Sequence, residues 1–162
     1  MTERPGEHAP ASHRLEPGGG LALWVLGSLY TFKARGRETN GAYAIVEATV
    51  FAGQGPPPHI HHAEDECFYV LEGEFSFRYD DQTLEGGPGM FLRVPRGVLH
   101  TFRNIGDSPA RVLLIVSPAG LDEFWEAVGL PAGDGVTPPA PALGAMERVR
   151  ALAPQYHLEL RP

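Results

Sequence analysis

The 162 residues suit one domain with a sizeable core, and 43% apolar with 20% charged residues argue against wholesale disorder, collagen or a coiled coil. Thirteen Lys and Arg against twenty Asp and Glu give a net charge of -7 with no basic cluster. That disfavours nucleic-acid and membrane surfaces and leaves a small molecule as the expected partner. Residues 1–20 are rich in Pro, Gly, His and charge without periodicity, so a flexible arm is expected, with no specific role for His8 or His13. Strand-like segments follow at Leu21–Leu26, Leu29–Ala34, Ala42–Phe51, Cys67–Leu71, Phe75–Tyr79, Met90–Val94, His100–Asn104 and Arg111–Val116. Gly, Pro, Asn and Asp punctuate them, as in Asn40-Gly41, Glu72-Gly73, Asp80-Asp81 and Gly86-Gly87-Pro88-Gly89. Short strands at this spacing predict an all-β sandwich or barrel over residues 21–118.

The period changes after Pro118. Leu121, Phe124, Trp125 and Val128 fall on one helical face, Asp122 and Glu123 occupy the first turn, and Gly129 ends the helix. Its apolar stripe is expected to cover the open end of a barrel, or to meet another helix or a second subunit. A loop over 131–141, a second short helix near 142–152 and an edge strand at His157-Leu158-Glu159-Leu160 complete the reading. Residues 119–162 thus form a C-terminal helical extension that packs on the barrel or on a partner subunit. The lone cysteine, Cys67, has no intrachain partner, and the apolar run from Leu21 to Tyr30 is too short to span a bilayer. A cytoplasmic protein is expected.

Four of the seven histidines, His59, His61, His62 and His100, lie in the middle of the chain with Glu66 among them. On an extended strand His59 and His61 share one face and His62 takes the other. A second strand beginning at Glu66 sets its carboxylate beside the imidazole pair, and His100 can close the set from a neighbouring strand. Three imidazoles and one carboxylate are a common shell for a divalent transition metal.

Two longer patterns surround these residues. Gly53 is followed at fixed intervals by His59, His61, Glu66 and Gly73, and Gly89 by Pro95, Gly97, His100 and Asn104. Both resemble the signature motifs of the cupin superfamily without a gap. Ten such positions, each at an average usage of about 5–7%, coincide by chance far less often than roughly one in a billion per placement. The resemblance spans about Leu26–Pro118 and implies a small jelly-roll β-barrel holding one divalent metal (Mn, Fe, Co, Ni, Cu or Zn) through His59, His61, Glu66 and His100. Asn104 reads as a turn-holding hydrogen bonder, and Cys67 as a structural thiol facing away from Glu66. The run from Pro56 to Gly73 further resembles single-domain bacterial cupins of quercetin-dioxygenase-like type.

Parity sketches a pocket. Phe68 and Val70 share the face of Glu66, and Phe102 shares that of His100. With Phe77, Phe124 and Trp125, and with Phe75 and Phe91 nearby, the site is expected to be aromatic and poor in charge. Arg78, Arg93, Arg96 and Arg103 read as solvated strand-edge charges. Such a pocket suits a flat, largely apolar molecule with an enol or carboxylate handle. Three classes compete: a dioxygenase with Glu66 as ligand and base, a redox-neutral isomerase or decarboxylase, and a non-catalytic binding cupin. Barrel edges need covering, and cupins of this size resemble subunits of dimers, so a homodimer is expected.

Overall fold

The structure, a computed structural model, describes residues 11–141 and 143–162. The expected arm before residue 11, His8 included, lies outside them. Residues 11–18 are exposed, and the Lys33 ammonium donates to the Gly19 carbonyl at 2.9 Å while His13 Nε2 lies 2.8 Å from the Lys33 carbonyl.

Short runs rich in apolar and β-branched residues lay down β1 (Ala22–Val25), β2 (Ser28–Ala34) and β3 (Ala44–Val50), the last with strict alternation of buried positions. The short β4 (His59–His61) is followed by β5 (Asp65–Glu72), β6 (Phe75–Tyr79) and β7 (Gln82–Gly86). Then come β8 (Phe91–Val94), β9 (His100–Asn104) and β10 (Ala110–Ser117). Helix α1 spans Leu121–Val128 and α2 spans Ala145–Leu152, with the short strands β11 (Leu130–Pro131) between them and β12 (Leu158–Leu160) after them. Strand β7 was not expected from sequence, nor was β11. Among the described residues no helix is long and apolar enough to cross a membrane.

The strands form a seven-stranded sheet in the order β11-β1-β2-β3-β10-β5-β8 and a five-stranded sheet in the order β12-β4-β9-β6-β7. Every neighbouring pair is antiparallel. This is the all-β jelly roll that the strand spacing and the motifs led us to expect. Small and branched side chains of β3 and β10 (Val46, Ala48, Val112, Leu114) face inward, against the rings of Phe68, Phe75, Phe77 and Phe102, whose centroids stand 5.2–6.2 Å apart. One inward step along β9 from Phe102 is His100, and one step along β5 from Phe68 is Glu66. The phenylalanine cluster is therefore the floor beneath the polar group.

Tight turns set these strands in register. Gly73 has φ of +81°, and a Cβ there would run into Ala110, so the β5–β6 turn needs glycine. Asn104 holds the turn after β9: its Nδ2 donates to the Val50 and Ser108 carbonyls at 2.8 and 2.7 Å, and Gly106 N donates to its Oδ1 at 2.8 Å. The tail joins both sheets, since β11 pairs with β1 and β12 with β4. Helix α1 buries Leu121, Asp122, Phe124 and Trp125. The Asp122 carboxylate accepts from Gly36 N at 2.7 Å and from Gly120 N at 2.9 Å, which fixes the start of the helix to the turn after β2.

Candidate metal centre

The four residues singled out by spacing converge. His59 and His61 come from β4 and His100 from β9, all in the five-stranded sheet, while Glu66 comes from β5 in the facing sheet. One candidate ligand atom of each lies within 4.8 Å of all the others, and all four side chains are buried. Ligands at about 2.1 Å from one ion lie at most about 4.2 Å apart, so the group needs to draw in by only a few tenths of an ångström.

Backbone carbonyls aim the rings. His59 Nδ1 lies 2.7 Å from the Pro57 carbonyl and His100 Nδ1 2.9 Å from the Val98 carbonyl, so each Nδ1 carries the proton and donates it. That leaves Nε2 of both rings to face the centre, the outer-ring support that ligating histidines typically have. Glu66 Oε2 stands 3.0 Å from Nε2 of His61 and 3.0 Å from Nε2 of His100. A cation between these atoms takes the place of the shared protons, as binding to such a set requires.

The electrostatics agree. Burial, helped by the neighbouring His61 and His100, pushes His59 down to about 3, so its ring is neutral and able to ligate. Burial works against ionisation of Glu66, yet the imidazoles of His61 and His100 outweigh it and hold the carboxyl far below the usual range. Burial lowers His100, but its hydrogen bond to Glu66 prevails and raises it. Beside the group, burial lifts the buried Glu64 above the ordinary carboxyl range against the pull of His61 and His157. Neither Glu64 Oε2 nor His61 Nδ1 has a partner among the described residues.

His62 points outward, its Nε2 2.7 Å from Glu159 Oε2 at the surface. Cys67 lies on the face of β5 opposite Glu66, half-buried, and burial raises its thiol. Both stand where strand alternation puts them.

The expected aromatic pocket divides in two. A small cavity of about 40 Å³ opens onto His59, His61 and Glu66 and is walled by Phe102, Phe124 and Trp125. Phe68, Val70 and Phe77 lie outside that lining, in the packed floor, because the cluster closes on itself below Glu66 and His100. Phe75 belongs to the same floor, and Phe91 stands on the outer face of its sheet, 58% exposed. Arg78, Arg93, Arg96 and Arg103 are exposed, Arg93 and Arg96 pairing with Asp65 at 3.3 and 3.0 Å. Sequence reasoning missed Tyr30 and Leu26, which line the cavity with Leu121 and Val149. Tyr30 is one of many inward residues of an ordinary strand, so no local signal marks it. Burial first, and the charge of Glu66 second, raise its phenol, which stays protonated.

Comparison with known proteins gives the same picture. The Cupin domain family model matches residues 46–116. The chain is 27% identical over 149 residues, 92% of its length, to quercetin 2,3-dioxygenase of Bacillus subtilis, of which the match covers 43%. It is 34% identical over 85 residues, 51% of its length, to an uncharacterised protein of Streptomyces coelicolor, covering 74% of that protein. Among solved structures, the polyketide cyclase RemF from Streptomyces resistomycificus superposes with a TM-score of 0.58 at 25% identity over 66% of this chain and 80% of that one. The chain spans about half the length of the curated relatives it matches first. The two motifs, the facing antiparallel sheets, the buried group of three histidines and one glutamate, and these matches place the chain in the cupin superfamily.

Proposed function

We propose that this cupin is a metal-dependent dioxygenase for a small, largely apolar molecule with an enol or carboxylate handle, working as a homodimer in the cytoplasm. The reading rests on one observation: His59, His61, Glu66 and His100 converge, buried, at the end of a cavity walled by Tyr30, Phe102, Phe124 and Trp125. Three neutral imidazoles and a carboxylate leave a divalent ion with a net charge of about +1, which favours an anionic oxygen donor. When bound there, the metal supplies Lewis acidity toward the handle and a meeting point for O2.

The chain's own residues do the remaining work. Glu66 takes up the proton of the handle at Oε2. A carboxylate held beside a cation is a weak base, so Glu66 takes up that proton only as it loosens from the ligand group when substrate enters. Tyr30, kept protonated, offers a neutral O–H to an oxygen of the handle. Phe124 and Trp125 from α1 keep water out. The similarity to the Bacillus subtilis quercetin 2,3-dioxygenase supports this choice among cupin activities.

The test is an oxygen electrode. With protein loaded in turn with Mn, Fe, Co, Ni, Cu and Zn, a flavonol such as 3-hydroxyflavone is expected to disappear with one O2 consumed per molecule. Turnover without oxygen would replace this reading by redox-neutral chemistry, the second reading, which the likeness to a polyketide cyclase favours. Binding without any turnover would leave a ligand-binding cupin.

A further inference from the structure

The cavity at the metal centre, about 40 Å³, has room for a handle but not for a flat aromatic molecule, whose sites usually measure about 300–1,000 Å³. A second pocket of about 450 Å³ adjoins it, between the β1–β2 turn, the end of α1, the stretch Pro139–Pro141 and α2. Trp24, Val128 and Met146 make its apolar walls, Gln54 supplies an amide, and Arg148 is the one charged side chain in its described lining. Three residues line both spaces: Leu26, Pro57 and Val149.

Of these three, only one can move readily. Pro57 is a closed ring whose carbonyl orients His59, and Val149 is branched at Cβ and buried at 3% exposure. Leu26 is only half-buried and has two free side-chain torsions. Its backbone is also anomalous. Val25 pairs with Ser28, so Leu26-Gly27 is a two-residue hairpin turn, and both residues have positive φ, +49° and +84°. Turns of that kind favour Asn-Gly, and a bulky residue there is rare. A leucine that goes against its turn and stands between two cavities points to a role in the passage.

We propose that the substrate spans both chambers: its enol or phenol handle enters the inner cavity beside Glu66, its fused-ring body fills the outer pocket against Trp24 and Met146, and Leu26 is the gate between them. This names the substrate class as a polycyclic aromatic enol or phenol, and it rests on the reading of the metal centre as the site that takes the handle. Arg148, whose guanidinium donates to the Ala127 carbonyl at 2.8 Å, also lines the outer pocket and suits an oxygen substituent on the ring system.

Two probes and two positions test it. Met146 lines only the outer pocket, and Leu26 stands between the two spaces. The probes are 3-hydroxyflavone, a fused-ring enol, and acetohydroxamate, a ring-free handle with two vicinal oxygens, each titrated by calorimetry into the metal-loaded protein. Both are expected to bind. Leu26→Phe and Met146→Trp, which crowd the gate and the outer pocket, are each expected to lower the affinity ratio of 3-hydroxyflavone to acetohydroxamate by more than tenfold, and Leu26→Asn, which suits the turn, is expected not to lower it. An unchanged ratio in Leu26→Phe or in Met146→Trp, a fall of the ratio in Leu26→Asn, or acetohydroxamate binding with no 3-hydroxyflavone binding overturns the proposal. Failure of both probes to bind overturns the proposal together with the handle reading. The expected ratios without oxygen uptake uphold the two chambers and remove only the dioxygenase.

Discussion

Glu66 stands between two histidines with one oxygen 3.0 Å from each ring, so in the proposed function a single carboxylate both completes the ligand set and takes up the substrate proton. Glu66→Gln keeps the size and an oxygen donor while removing charge and basicity. It is expected to retain part of the metal, measured by plasma emission, and to lose most turnover. Undiminished turnover with normal metal content would remove Glu66 from the chemistry. The neighbours on the opposite faces should behave otherwise. His62 pairs with Glu159 on the exposed surface, where solvent screening leaves such a pair little weight, and Cys67 faces away from the centre. His62→Ala and Cys67→Ala are expected to leave metal stoichiometry unchanged, whereas His61→Ala should lose most of it. A loss in either control equal to that in His61→Ala would refute the strand parity on which the assignment rests.

Among the elements, α1 matters most to the site, because its Phe124 and Trp125 wall the cavity and Trp125 packs edge-on against Tyr30 at 5.2 Å. One buried carboxylate holds the helix in place. Asp122→Ala removes the acceptor for two backbone N–H groups, Gly36 N and Gly120 N, at an expected cost of about 1–3 kcal/mol in stability. Chemical denaturation would measure it, and a change within error would mean that the apolar stripe alone seats the helix. The α1 stripe was legible because four apolar residues recur at helical spacing. Strand β7 was not legible, since Gln82–Glu85 are all exposed and no alternation marks them; its pairing with β6 alone makes it a strand. The two-residue β11 is equally silent, being defined only by its partner β1.

At the scale of the molecule, Tyr69 of β5 and Phe91 of the edge strand β8 lie opposite each other in register on the outer face of the seven-stranded sheet, 42% and 58% exposed. That paired aromatic surface is the expected seat of the homodimer. Light scattering at micromolar concentration should give twice the 17.5 kDa of one chain, and Phe91→Glu should return it toward the single mass. A single mass in the unaltered protein would refute the dimer. The candidate metal centre is a property of the whole barrel, since its histidines and its glutamate belong to opposite sheets and meet only when the sheets face each other.

The sequence by itself determined the all-β class, the strand-borne group of His59, His61, Glu66 and His100, and the outward faces of His62 and Cys67, because each follows from alternation and motif spacing. Tertiary structure decided the rest. Which phenylalanines wall the cavity and which fill the floor depends on how two sheets close: Phe102, Phe124 and Trp125 reach the metal centre, while Phe68, Val70 and Phe77, with the right parity, are sealed beneath it. Tyr30 and Leu26 enter the site for the same reason. Parity assigns a side chain to a face, but the depth at which it meets its neighbours is set by packing between elements far apart in the chain, and no local pattern encodes that distance.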